Sequence, residues 1–137
     1  PTTRKTYISD ETEILLSDTV GFITDLPEDL ISSFRATLEE INQSDLLIHI
    51  VDSAEENFEE KIMSVEDTLI RTKLIDHKSI IIFNKIDLIN DENLLYLREK
   101  VQQPCVSSLK NMGIQDARRE IERIVKSSLK NQKVVNL

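Results

Sequence analysis

Glycine is almost absent from this chain of 137 residues: there are two, Gly21 and Gly113. Neither precedes a lysine, so a glycine-rich phosphate-binding turn closing on Gly-Lys-Ser/Thr is excluded from the sequence. Three prolines and no Pro/Gly-rich stretch leave no obvious linker, so one compact unit is expected over residues 1–137. The single cysteine, Cys105, excludes an internal disulfide and fits a reducing, cytoplasmic compartment. No apolar run approaches membrane-spanning length, so no membrane span is expected, and no charged-then-apolar leader marks export. A chain opening on Pro1 rather than methionine is expected to be a piece of something longer.

Hydrophobic residues make up 39% and charged residues 31%, a soluble globular balance. The net charge of −8 argues against a broad electrostatic clamp on nucleic acid, and no DNA partner is expected. A ribonucleoprotein contacted through other segments is not excluded by it.

Short apolar runs alternate with longer helical periods. Thr6–Ile8 and Ile14–Ser17 read as strands joined by a polar turn, and Leu46–Val51 and Ser79–Phe83 as buried strands. Pro104–Val106 reads as a shorter one. Helical spacing links Leu30, Phe34, Leu38 and Ile41; then Phe58, Ile62, Val65 and Leu69; then Leu94, Leu97 and Val101. The last helix carries Ile114, Ala117, Ile121, Ile124 and Val125. Strands apolar throughout, alternating with helices, predict a mostly parallel α/β sheet covered on both faces. Ligands bind such sheets beyond the carboxyl ends of the strands. Asp18, Asp52, Asn84 and the Ser107-Ser108 pair all fall there.

Two of those tips carry specific chemistry. In "SDTVGFI", residues 17–23, an acid closes an apolar strand and a glycine follows three positions later. A buried carboxylate is costly unless compensated, and the glycine suggests close approach of a ligand to the backbone. In "NKID", residues 84–87, Asp87 can accept from the ring N–H and exocyclic amine of guanine, a donor pair adenine lacks. Asn84 can tie neighbouring loops together, and the stem of Lys85 can lie along a purine.

With "SSLKNMG" further on, these motifs resemble, in order and spacing, those of the translation-factor class of P-loop GTPases. "PTTRK", "SDTVGFITDLPEDLISSFRATLEE" and "SDLLIHIVDSA" narrow the resemblance to the HflX family of ribosome-associated GTPases. It runs from Pro1 to about Lys126 and is most specific over residues 17–53. It implies a three-layer GTPase-type sheet and binding of GTP and GDP with Mg²⁺. It also implies hydrolysis and action on the large ribosomal subunit. It assigns Asp18 to water bound on Mg²⁺, Gly21 to the γ-phosphate, and Thr19, Val20 and the residues to about Asp29 to a switch segment. Thr3 is preferred over Thr2 as the hydroxyl closing on Mg²⁺. Asn84, Lys85 and Asp87 take the base, and Ser107 and Ser108 sit in the short guanine-contacting loop. Leu109 and Asn111 depart from the family there. Phe22 stands where many GTPases place a water-orienting glutamine, which implies slow turnover without a partner.

Other residues read as structural. His49 is expected to be a packed core histidine and His77 a turn residue. Cys105 reads as a small strand hydrophobe. Glu55, Glu56, Glu59 and Glu60 read as a solvated helix start, and Arg118, Arg119, Arg123 and Lys126 as a solvated helix face.

In the family, the phosphate loop, the strand before it and the helix after it precede "PTTR". That first strand lies between the strands placed here at Ile14–Ser17 and Leu46–Val51. The sheet is therefore expected to be incomplete, with two buried edges unpaired, so that the chain alone neither folds robustly nor hydrolyses GTP usefully. Two rival readings are a degenerate, non-catalytic GTPase-like interaction module and another GTPase of the class with a different client.

Overall fold

The computed structural model describes residues 2–19, 28–127 and 133–137. Strands β1 (Thr2–Tyr7) and β2 (Glu13–Asp18) form an antiparallel hairpin. A 3₁₀ segment, Glu28–Phe34, leads into helix α1 (Arg35–Asn42). Then follow β3 (Leu46–Asp52), α2 (Phe58–Arg71) and β4 (Ser79–Asn84). Helix α3 (Asp91–Tyr96) runs on through a π-turn over Leu97–Val101. After it come α4 (Ile114–Lys126) and β5 (Lys133–Asn136).

The sheet order is β1-β2-β5-β3-β4, with β2, β5, β3 and β4 all parallel. The expected strand at Pro104–Val106 contributes only a single bridge, Cys105 to Phe83, flanked by Phe83 N–H donating to Pro104 O and Val106 N–H to Phe83 O.

Alternation along β3 divides the core. Leu46 and Ile48 face α4, packing with Ile121, Ile124 and Val125, while Leu47 faces α1 and α2 through Ile41, Val65 and Leu69. Beyond them, Val51, Phe83 and Ile86 pack against Leu97 of the π-turn. The result is a three-layer α/β sandwich with helices on both faces, as the apolar strands predict.

The open edges expected between β2 and β3 are not there, because β5 fills the gap. Val134 and Val135 are fully buried on opposite faces, one in the α4 core and the other in the α1–α2 core. At the start of β5, Lys133 N–H donates to Asp45 Oδ2 and Asp45 N–H donates back to Lys133 O, both at 2.8 Å. The Lys133 ammonium meets Glu40 Oε1 of α1 at 2.5 Å. Glu40 also accepts from Ser17 Oγ at 2.8 Å and Thr3 Oγ1 at 3.1 Å. One carboxylate thereby ties β1, β2, α1 and β5 together. These bonds hold its proton affinity below the ordinary carboxylate range, Lys133 first, then Ser17 and Thr3.

Candidate nucleotide site

Parallel pairing of four strands brings their carboxyl ends to one edge: Asp18 of β2, Asn136 of β5, Asp52 of β3 and Asn84 of β4. Asp18 and Asp87 therefore lie on the same edge of one sheet. Three inter-strand spacings, about 14 Å, separate their strands, a span that a single nucleotide can bridge.

At the β4 end the chain turns sharply through Lys85, whose φ is +65°. The turn carries Asp87 into a short 3₁₀ segment, Ile86–Leu88. Ser107, fully buried, donates from Oγ to Asp87 Oδ1 at 2.7 Å and accepts from Lys110 N–H at 3.1 Å. Asn84 Oδ1 accepts from Ser108 N–H at 3.1 Å and from Lys85 N–H at 2.8 Å, while Asn84 Nδ2 lies 3.2 Å from Ser108 Oγ. Two loops are thus fixed against each other by the side chains of Asn84 and Asp87. Gly113 supports the second loop from below. Its φ is +69°, and a Cβ there would sit 2.2 Å from the Cys105 carbonyl oxygen, closer than any real contact. Sequence reasoning misses this requirement for glycine, for which the one signal is a position just ahead of the last helix.

Lys85 reaches across the edge. Its ammonium donates to Asp52 Oδ2 at 2.9 Å, which lowers the proton affinity of Asp52 and raises that of Lys85. The sequence does not reveal the Asp52–Lys85 bridge either, although both residues fall at strand tips.

At the β2 end the expected burial of Asp18 is corrected. Asp18 is exposed, and the buried residue beside it is Ser17. No burial penalty therefore calls for a compensating cation. Thr3 is the cross-strand partner of Ser17 and its hydroxyl lies 2.7 Å from Ser17 Oγ, whereas Thr2 is the partner of Asp18. Because successive side chains alternate between faces, Thr2 rather than Thr3 shares a face with Asp18. Asp18 Oδ1 accepts from Asn136 Nδ2 at 3.0 Å. Thr19 N–H donates to Asn136 O at 3.1 Å, and its hydroxyl lies 2.8 Å from Leu137 O. Val20, Gly21 and Phe22 lie outside the described residues.

The remaining side chains are accounted for. His49 is half-buried on β3, and burial lowers its proton affinity. His77 bridges turns through the carbonyls of Leu74 and Asn42. Cys105 is buried, and burial raises its thiol above the ordinary range, the opposite of a reactive thiolate. Arg119, Arg123 and Lys126 pair with Asp116, Glu120 and Glu122 along α4. Among the described residues no three His, Cys, Asp or Glu side chains cluster as a metal site. Among the same residues no helix is long and apolar enough to cross a membrane.

Residues 1–85 match the family described as 50S ribosome-binding GTPase, so the chain belongs to that GTPase family. GTPase HflX of Caldanaerobacter subterraneus is 44% identical over 65% of this chain and 21% of its own length. GTPase HflX of Escherichia coli is 36% identical over 76% of this chain and 24% of its own. GTPase HflX of Magnetococcus marinus is 34% identical over 98% of this chain and 32% of its own. Within the family the chain groups with these HflX GTPases. It spans between 21% and 32% of the length of these three relatives.

Proposed function

We propose that this domain binds a guanine nucleotide along the carboxyl edge of its sheet, with the base at β4 and the phosphates toward β2. In its HflX setting, GTP would be hydrolysed to GDP and phosphate on the large ribosomal subunit, in the cytoplasm. The observation carrying this reading is the Ser107–Asp87 hydrogen bond beside the Asn84–Ser108 bonds. A carboxylate held by one serine still has acceptor capacity for both guanine donors. The Lys85 stem, stretched toward Asp52, offers an aliphatic wall for the purine.

The donor set at the other end suits Mg²⁺. Asp18 and Thr2 are hard oxygen donors in cross-strand register. Mg²⁺ takes one or two protein ligands and fills the rest with phosphate and water, so no dense acidic cluster is required. Bound there, it would neutralise charge on the phosphates. Asp18 and Thr2 would hold it, with Thr2 in the role that the motif alone gives to Thr3. Thr19 would lie toward the phosphates, to which the resemblance also assigns Val20 and Gly21.

No Gly-Lys-Ser/Thr loop occurs in the sequence, which favours a second reading of this chain by itself: a base-binding module without turnover. Calorimetric titration of guanosine, inosine and adenosine tests the base site. The expected order is guanosine, then inosine, which lacks the exocyclic amine, then adenosine. Equal binding of guanosine and adenosine contradicts the reading.

A further inference from the structure

We propose that Asp52 is a positioning residue of the base site: it holds the Lys85 ammonium so that the lysine stem lies stretched along the sheet edge as a fixed wall for the purine. This role rests on the nucleotide reading above and brings in β3, a strand that otherwise supplies nothing to the base.

Lys85 is restrained at both ends. Its backbone takes the left-handed conformation, with φ of +65°, which is costly for a lysine and persists where surrounding contacts hold it. The Asn84 side chain supplies one such contact, accepting from Lys85 N–H at 2.8 Å. At the tip of the side chain, the ammonium donates to Asp52 Oδ2 at 2.9 Å. Asp52 is itself fixed, because its Oδ1 accepts from Ala54 N–H at 2.9 Å and its strand is paired with β4 as far as Asn84. The stem is therefore pinned at its root by β4 and at its tip by β3.

Stability does not account for the bridge. The lysine side chain is 51% exposed and that of the aspartate 28%, and an ion pair so open to water adds little to folding. Its effect is to remove rotamer freedom from a four-carbon chain before any ligand arrives. An untethered lysine loses that freedom on binding, and the loss subtracts from affinity. A stem already stretched toward Asp52 has lost it in advance, so its methylenes cover a purine face at lower cost. Such contact depends on the breadth of the ring system and not on its edge groups. It therefore strengthens guanosine and inosine equally, whereas Asp87 distinguishes them.

The test uses the full 137-residue chain and three variants: Asp52→Asn, Lys85→Met and the double substitution. Asparagine keeps an oxygen for Ala54 N–H and removes the charge that pairs with the ammonium. Methionine keeps an apolar stem and removes the ammonium. Guanosine and inosine are titrated into each protein by calorimetry, and NMR relaxation of the Lys85 ε-methylene is measured without ligand. Asp52→Asn should weaken both nucleosides by about threefold, leave their ratio unchanged and loosen the ε-methylene. In the Lys85→Met background the same substitution should change neither affinity. Undiminished binding in Asp52→Asn, a changed ratio, or the same loss with and without the lysine overturns the positioning role. An unmodified chain that binds neither nucleoside overturns the nucleotide reading instead. The ε-methylene then decides the tether by itself: equal mobility in Asp52→Asn and in the unmodified chain contradicts it.

Discussion

Ser107 Oγ donates to Asp87 Oδ1 across 2.7 Å, joining the turn after β4 to the loop before α4. The bond aims a half-buried carboxylate along the sheet edge instead of leaving it free to rotate. Ser107→Ala removes the donor and leaves Lys110 N–H without its acceptor. Guanosine affinity should fall about threefold to tenfold, with a stability loss of about 1 kcal/mol. Titration of guanosine alongside a urea melt checks both; unchanged affinity would show that the serine does not orient the acid.

Placing β5 in the middle of the sheet makes it a global element rather than a terminal ornament. Val135→Asp puts a carboxylate into the α1–α2 core, a cost of about 3 kcal/mol or more. The melting temperature should drop by about 10 °C or more, as a single transition. Circular dichroism melting checks this. A variant melting like the unmodified chain would show that β5 is not seated there in solution.

Glu40 gives the fold a defined acid response. Its folded-state affinity for protons is lowered, chiefly by Lys133. The unfolded chain therefore binds the proton first as pH falls. The contribution is complete above the ordinary value of 4.5 and is lost as pH drops below it toward the folded value. Chemical denaturation at a series of pH values should show stability falling through this window. Glu40→Gln should flatten the fall and be less stable than the unmodified chain at pH 7.

Gly113 permits the close approach of two loops. Gly113→Ala forces a side chain into the left-handed region and onto the Cys105 carbonyl. A cost of about 2 kcal/mol or more is expected, with the guanosine contacts of Ser107 and Ser108 weakened together. Paired melting and titration experiments check the coupling.

Much of this architecture is legible in the residue pattern, because strands such as Ile80–Phe83 are apolar without interruption and can only be interior. Where such runs end in a polar residue, the pattern already marks the edge that carries the site. β5 is invisible to the same reasoning. Lys133–Asn136 offers one Val-Val pair, too short for a period, and its place is set by partners more than 80 residues away, such as Asp45. The face that each threonine takes is hidden from the sequence for a related reason. Which of two adjacent threonines shares a face with Asp18 depends on hairpin register, and a shift of one residue exchanges them. Asp18 reads as buried because it ends an apolar run, yet the run ends at the surface.

The most direct test of the account exchanges the acceptor that reads the base. Asp87→Asn replaces a carboxylate oxygen with an amide donor, which matches xanthine, whose ring carries a carbonyl where guanine carries its amine. The account predicts that the variant loses guanosine binding and gains xanthosine binding, each by about tenfold or more. Guanosine binding that survives the substitution undiminished, with no gain for xanthosine, would contradict it.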